Sequence, residues 1–169
     1  MNKLLYLAYG SNLHPYRLQK RVPSAHFQDT VTLSGWLLQF HKRGQDGSAK
    51  CNIIKSVSKN SKVYGALYVI DALEREFLDN AEGLGRGYDH LDIQHPKYGS
   101  FFCYVANPTH IVSSLKPFTW YKDYVCRGAQ YHDFPSYYID TIEEVTTIAD
   151  KNRCRCQENE AVLEQMQIL

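Results

Sequence analysis

The sequence has no apolar run near the ~20 residues a helix needs to cross a bilayer. Its start, one Lys and a short apolar run that turns at once into Ser11-Asn12, does not read as a secretory leader. A disulfide framework is missing too. The five cysteines (Cys51, Cys103, Cys126, Cys154, Cys156) are odd in number and irregularly spaced, and read as reduced thiols of a cytoplasmic protein. Cys154-Arg155-Cys156 has one intervening residue and no second pair, which argues against a zinc site. The seven histidines are dispersed, with no i, i+4 metal pair. No serine sits in a G-x-S-x-G setting. The Gly83-Leu84-Gly85-Arg86-Gly87 stretch follows a helix pattern rather than a strand and has no P-loop lysine, which argues against phosphate binding. A formal net charge of +1 forces neither a nucleic-acid nor an anionic-membrane partner. There is no internal repeat and no low-complexity tract.

What is present is one domain's worth of chain: 169 residues, 44% apolar, enough to bury a core. Thirteen Tyr and seven Phe point to an aromatic-lined core or cleft, although Tyr-rich strands alone would give the same count. Residues 3–9 form a continuous apolar run that stops at Gly10-Ser11-Asn12, a buried strand ending in a loop. Residues 14–20 are helix-compatible, with Pro15 near the start. Strands are expected over 31–41, with Gly35 as a bulge, and over 51–57 and 63–70. A hairpin is expected from 88–94 and 100–106, around Pro96 and Gly99.

One helix interrupts these strands. Asp71 and Glu74 have capping-box spacing, Leu73, Phe77, Leu78 and Ala81 form an apolar stripe, and Gly83, Gly85 and Gly87 end it. Helices are expected again from Pro117 to Ala129 and from Pro135 to Val145. Residues 151–160 are polar and read as a loop or mobile tail. The fold class is therefore α+β: a small mixed or antiparallel sheet, closed into a barrel or nearly so, with surrounding helices. Residues 1–146 are expected to form the domain and 147–169 a C-terminal extension.

Three places could carry chemistry. At Tyr9-Gly10-Ser11-Asn12-Leu13 a strand ends on a glycine, and successive peptide N–H groups can point outward to hold a carboxylate or oxyanion; a plain polar turn is the alternative. Glu82 closes the helix at the margin of its apolar stripe, beside three glycines that let a ligand approach. A carboxyl there is placed to shuttle a proton, or is simply a surface group near a C-cap. Tyr88 and Tyr104 lie on paired strands and could wall a substrate or donate a hydrogen bond, or merely pack. His14 and His132 could approach the same region or stay on the surface.

Taken together, these segments resemble the γ-glutamylcyclotransferase family. Tyr9-Gly10-Ser11-Asn12-Leu13 is similar to its opening signature, and Val63-Tyr64-Gly65-Ala66-Leu67-Tyr68 to its V-x-G-x-x-Y strand. Leu78-Asp79-Asn80-Ala81-Glu82-Gly83, with Tyr88 six residues beyond the Glu, is similar to the stretch bearing the family's catalytic glutamate. Tyr104 falls at a strand tyrosine, and Tyr121 with Cys126-Arg127-Gly128-Ala129 and the 135–145 segment are similar to its C-terminal helices. The resemblance spans about residues 5–145. Its γ-glutamylamine branch opens on a Tyr-Gly-Thr-Leu-like signature, unlike this chain.

The resemblance implies a five- or six-stranded barrel-like sheet and a cofactor-free release of 5-oxoproline from a γ-glutamyl compound. It implies Glu82 as acid–base catalyst, Tyr9, Gly10, Ser11, Asn12 and Leu13 as substrate cradle, and Tyr88, Tyr104 and Tyr121 as pocket walls. The expected partner is a small γ-glutamyl molecule, with no nucleic acid, membrane or metal, and the chain is expected as a monomer or homodimer. The alternatives are a cyclotransferase for a specialised γ-glutamyl metabolite and a catalytically silent binding protein with the same fold. A single-strand nucleic-acid binder would need a basic stripe beside stacked rings, and the charges here are spread along the chain. Residues 42–50 are basic and are candidates to line the leaving-group half, where they would suit an acidic leaving group.

Overall fold

The computed structural model describes residues 2–166. In chain order the elements are β1 (Lys3–Ala8), α1 (Pro15–Gln19), β2 (His26–Ser34), β3 (Trp36–Arg43), β4 (Ala49–Lys55), β5 (Lys62–Asp71), α2 (Arg75–Glu82), β6 (Tyr88–His95), β7 (Gly99–Ala106), α3 (Thr119–Tyr131), α4 (Ser136–Glu143) and α5 (Arg153–Met166). Single 3-10 turns lie at Ala72–Glu74 and Pro108–His110.

The apolar run at the start becomes the central strand, because a strand buried on both faces needs side chains that tolerate burial on both. Tyr6, Leu7 and Ala8 are all buried. The main sheet has the order β2-β5-β1-β7-β6. β1 runs antiparallel to β5, with Tyr6 opposite Tyr68, and parallel to β7, with Tyr6 opposite Phe102. The C-terminal ends of β1 and β7 therefore share one end of the sheet. The register Tyr88↔Ala106 brings the start of β6 there as well.

The sheet is mixed and five-stranded, as expected, but it is not closed as a barrel. Its edges β2 and β6 form no ladder with each other; the two sides meet only through side chains, where Lys97 Nζ and Tyr98 Oη both donate to Asp29. The expected strand over 31–41 is really two strands in different sheets. Gly35, at φ 76°, is a corner rather than a bulge, and its N–H donates to the Ser61 carbonyl at 2.7 Å. Beyond that corner β3 pairs with β4 as a separate two-stranded ribbon.

The helices follow the sequence with two differences. The α2 stripe is mostly unburied: only Leu78 enters the core, whereas Leu73 is 86% and Phe77 56% exposed. Residues expected as a loop or tail form α5, whose polar composition hid it from a periodicity reading. Local anchors hold it. Asp150 accepts from Trp120 Nε1 at 2.9 Å and from Arg155 at 2.7 Å twice. Those Arg155 hydrogen bonds hold its carboxyl well below the usual carboxylate range. Tyr124 Oη donates to Asn159 at 2.9 Å, and Leu163 and Met166 are buried.

α3 lies directly behind the loop that follows β1. A Cβ on Gly128 would sit 2.4 Å from Leu13 Cβ and 3.0 Å from the His14 peptide nitrogen. Gly128→Ala is therefore expected to lower stability by about 1–3 kcal/mol, the usual cost of overpacking. Chemical denaturation checks this, and an unchanged midpoint would mean that helix and loop are not in contact.

Candidate active site

The site lies at the end of the sheet where β1 and β7 finish. Leaving β1, the chain turns at Gly10, and the Leu13 N–H closes back on the Gly10 carbonyl at 3.0 Å. Glycine is required by close approach, since a Cβ there would lie 2.9 Å from Cys51 Cβ. Among the described residues, the backbone N–H groups of Gly10, Ser11 and Asn12 donate to no protein acceptor. That is the arrangement of an anion-binding turn.

α2 delivers Glu82 to this loop. The helix ends in a left-handed Gly83 (φ 73°), with the Leu84 N–H donating to the Asp79 carbonyl at 2.9 Å, so Glu82 occupies the last helical position. One of its oxygens, Oε1, accepts from Asn12 Nδ2 at 2.8 Å and from Arg21 Nη1 at 2.8 Å. Arg21 also donates to Asn12 Oδ1 at 3.0 Å, closing a three-residue ring. Among the described residues the second oxygen, Oε2, is given no hydrogen bond. The carboxylate is thus anchored on one side and available on the other.

Tyrosines surround it. Tyr6, Tyr9, Tyr88, Tyr104 and Tyr121 line a narrow pocket of about 20 Å³ with Gly10, Ser11, Asn12, Cys51 and Glu82. Most of their hydroxyls are already committed. Tyr9 Oη donates to the Tyr104 carbonyl, Tyr88 Oη to the Cys51 carbonyl at 2.5 Å, and Tyr104 Oη to Asp79 Oδ1 at 2.6 Å. These rings therefore wall the pocket, and their hydroxyls fasten the walls together. Tyr6 and Tyr121 differ. Their oxygens accept, from Asn12 Nδ2 at 3.1 Å and from the Cys51 N–H at 3.0 Å; the Tyr121 hydroxyl also hydrogen-bonds the Cys51 thiol, whereas the Tyr6 hydroxyl donates to no acceptor among the described residues. Burial raises the phenol pKa of Tyr6, Tyr88 and Tyr121, and the nearby Glu82 charge adds to it, so all three stay neutral at physiological pH.

The pocket opens into a wider cleft of about 380 Å³, and Ser11, Glu82, Tyr88 and Tyr121 border both. Arg17, Arg21, Lys42, Asp46 and Lys50 line the outer part, so the 42–50 segment does reach the cleft. Among the described residues no group of three or more His, Cys, Asp and Glu is arranged to hold a metal ion.

Of the residues singled out from the sequence, Tyr9, Gly10, Ser11, Asn12, Glu82, Tyr88, Tyr104 and Tyr121 come together here. Leu13 does not line the pocket. It is fully buried against Gly128, and its carbonyl accepts from Tyr68 Oη at 2.5 Å and faces His132 Nε2 at 2.8 Å. His14 and His132 also stay outside the lining. His14 caps α1 by accepting from the Tyr16 N–H at 3.2 Å, and burial pushes its imidazole down to about 4. Sequence reasoning missed Tyr6, Arg21 and Cys51. Tyr6 carried a usable signal, since it lies on the same central strand three residues before Tyr9. Arg21 had none, because its partners are 9 and 61 residues away.

Known proteins resemble this chain in sequence and in fold. Residues 62–142 match the model of the AIG2-like family. Gamma-glutamylcyclotransferases from Bos taurus and Homo sapiens are each 27% identical to this chain, over 83% of it and 78% of their own length. A solved structure of a gamma-glutamyl cyclotransferase superposes with a TM-score of 0.83 at 23% identity, covering 97% of this chain and 99% of that one. The chain is thus similar to the AIG2-like family over residues 62–142 and to γ-glutamylcyclotransferases over most of its length. The family match spans β5 to α4, which includes Glu82 and the tyrosines of β6, β7 and α3. The Tyr9–Leu13 loop lies outside it and joins the site through Asn12.

The cysteine in the pocket wall should be chemically inert. Burial pushes the Cys51 thiol up to about 12, and the thiolate is the reactive form. Iodoacetamide at pH 8 is therefore expected to label exposed Cys154 in the native protein and to spare Cys51, Cys103 and Cys126 until it unfolds. Peptide mass spectrometry reads this, and native labelling of Cys51 at the Cys154 rate would show that the pocket wall opens freely.

Proposed function

We propose that the protein is a cofactor-independent γ-glutamylcyclotransferase that releases 5-oxoproline, with Glu82 as its acid–base catalyst. The observation that carries this reading is the one-sided anchoring of Glu82. Asn12 and Arg21 hold Oε1, and Oε2 is left to exchange a proton at the junction of the inner pocket and the cleft.

In this reading the glutamyl half lies against the tyrosine walls, with its α-carboxylate on the N–H groups of Gly10, Ser11 and Asn12. The chain is thereby folded so that its α-amine meets its own γ-carbonyl. The attack is intramolecular, so positioning supplies much of the rate. Glu82 Oε2 takes a proton from the attacking amine, and the new C–N bond closes a five-membered lactam. The bond from the carbonyl carbon to the leaving nitrogen then breaks as Glu82 returns the proton to that nitrogen. The products are 5-oxoproline and a free amine, and Glu82 ends as it began. The Tyr6 hydroxyl, which donates to no acceptor among the described residues, is the pocket's uncommitted phenol donor for the carbonyl oxygen as it gains charge. Arg21 keeps the carboxylate in place between turnovers.

A silent relative would have no use for a carboxylate anchored on one oxygen at the mouth of a tyrosine-walled pocket. Glu82→Gln separates the two readings, because it keeps the shape and the Asn12 contact but carries no proton. On γ-glutamyl dipeptides the variant is expected to lose about 10²- to 10⁴-fold in 5-oxoproline release, the usual size of an acid–base contribution. Mass spectrometric detection of 5-oxoproline checks this. Equal product from variant and wild type would remove Glu82 from the mechanism, and no product from wild type on any γ-glutamyl substrate would remove the activity.

A further inference from the structure

The outer cleft carries more positive charge than its own carboxylates neutralise. Arg21 is paired with Glu82, and Lys50 Nζ with Asp46 at 2.7 Å. Three further cations line the same cleft, the exposed Arg86 and the less accessible Lys42 and Arg17, and none has a carboxylate partner among the described residues. Lys42 is only 5% exposed, and its ammonium lies 4.4 Å from the centroid of the Tyr88 ring. Arg17 stacks its guanidinium 3.7 Å over the Tyr124 ring, and its Nε is buried with no hydrogen-bond partner. Neither Lys42 nor Arg17 makes a hydrogen bond to a protein acceptor among the described residues. A buried cation without an anion is costly, and such groups are retained where a ligand supplies the missing charge.

The backbone is shaped to put Lys42 there. Pairing of β3 with β4 slips between Phe40 and Lys42, and His41 is the extra residue. On a regular strand, neighbours 41 and 42 would face opposite ways; at this bulge both are buried. Across the cleft, a Cβ on Gly87 would lie 2.8 Å from Lys42 Cε and Nζ, so the glycine makes room for the lysine head. Burial lowers Lys42 from its ordinary value, with the Glu82 and Asp46 charges opposing the shift, and lowers Arg17 to about 10, still charged at neutral pH.

We propose that Lys42 and Arg17 form an anion-binding pair for the leaving half of the substrate, and that the preferred substrate is a γ-glutamyl compound whose leaving group is an acidic amino acid. This rests on the cyclotransferase reading above. The glutamyl α-carboxylate is already assigned to the loop N–H groups, so Lys42 and Arg17, the two remaining cations packed on aromatic rings, are left for the leaving half, with the exposed Arg86 beside them. A simple amine brings no carboxylate to them, a neutral amino acid brings one, and an aspartate- or glutamate-type leaving group brings two. Asp46 faces the same cleft but is held by Lys50, so it offers no free negative charge to oppose a dicarboxylate.

The test compares γ-glutamyl-glutamate, γ-glutamyl-alanine and γ-glutamyl-ethylamine on the wild-type chain. Preference is read as kcat/KM for 5-oxoproline where product forms and as calorimetric Kd where it does not. The expected order is glutamate over alanine over ethylamine, with steps of about tenfold, the size of one charge-assisted contact. The gaps are expected to narrow at high salt. Lys42→Met is expected to shrink the glutamate-over-alanine gap and Lys42→Arg to keep it; Arg17→Gln gives an independent reading should Lys42→Met fail to fold. Equal values for the three compounds would overturn the inference and leave the cyclotransferase reading standing wherever 5-oxoproline is made. The expected order in Kd without any product would uphold the anion pair and overturn the activity.

Discussion

A single carboxylate oxygen ties this end of the molecule together. Glu82 Oε1 is shared by Asn12, from the loop after the central strand, and by Arg21, from the turn after α1. Two neighbouring segments near the start of the chain and a helix 61 or more residues further on converge on that atom. Each supplies what the others need: the helix brings the charge, the loop a neutral donor, and the turn a countercharge. With side-chain exposures of 27% and 16%, the Arg21–Glu82 pair is neither fully buried nor freely hydrated. In such a setting the hydrogen bonds count for more than the Coulomb attraction, because they fix direction as well as sign. The loop's outward N–H groups, the free Oε2 and the cleft mouth are held relative to one another by this ring.

Around that polar knot the environment is aromatic. Tyrosine suits it because one residue gives both a large apolar face and a hydroxyl that can fasten to something else. Tyr9, Tyr88 and Tyr104 use the hydroxyl to tie β1, β4, β7 and α2 together. Asp79, which receives the Tyr104 proton, also meets His90 Nε2 at 2.6 Å, and Arg75 stands 2.7 Å from His90 Nδ1. The same helix thus presents one carboxylate to a network that stiffens the wall and, one turn later, another carboxylate to the cleft.

Much of this was readable from the residues. The central strand, the β6–β7 hairpin and helices α3 and α4 follow from apolar runs and periodic stripes, which are local signals. Glu82 and the tyrosines were found by resemblance and then met in one pocket. What escaped reading was long-range or masked by composition. Gly35 resembles a bulge locally, and only the different partners of β2 and β3 make it a corner. Barrel closure depends on whether the edge strands meet, which no local pattern encodes. α5 is polar because much of its surface faces solvent, and it is held by Asp150, Tyr124 and a few apolar contacts rather than by a stripe. Leu13 belongs to the signature pentapeptide yet serves the core, so a contiguous motif mixed a binding role with a packing one. Arg21 is joined to its partners only by the fold.

The separate β3–β4 ribbon has a further meaning. The main sheet, through β1, α2 and β7, carries the cradle, the carboxylate and most of the tyrosine wall. The ribbon carries Lys42 at its bulge, Lys50 and the Asp46 turn, and shares no ladder with that sheet. A change at Lys42, Asp46 or Lys50 can therefore alter the charge of the outer cleft, whereas Cys51 on the same ribbon is fastened to Tyr88 and Tyr121 in the inner pocket. In this sense the outer cleft is a vestibule whose charge is set apart from the pocket that holds Glu82. The outer stretch 42–50, rather than the whole ribbon, is therefore the natural unit of redesign, because residues 51 and 52 already belong to the inner wall.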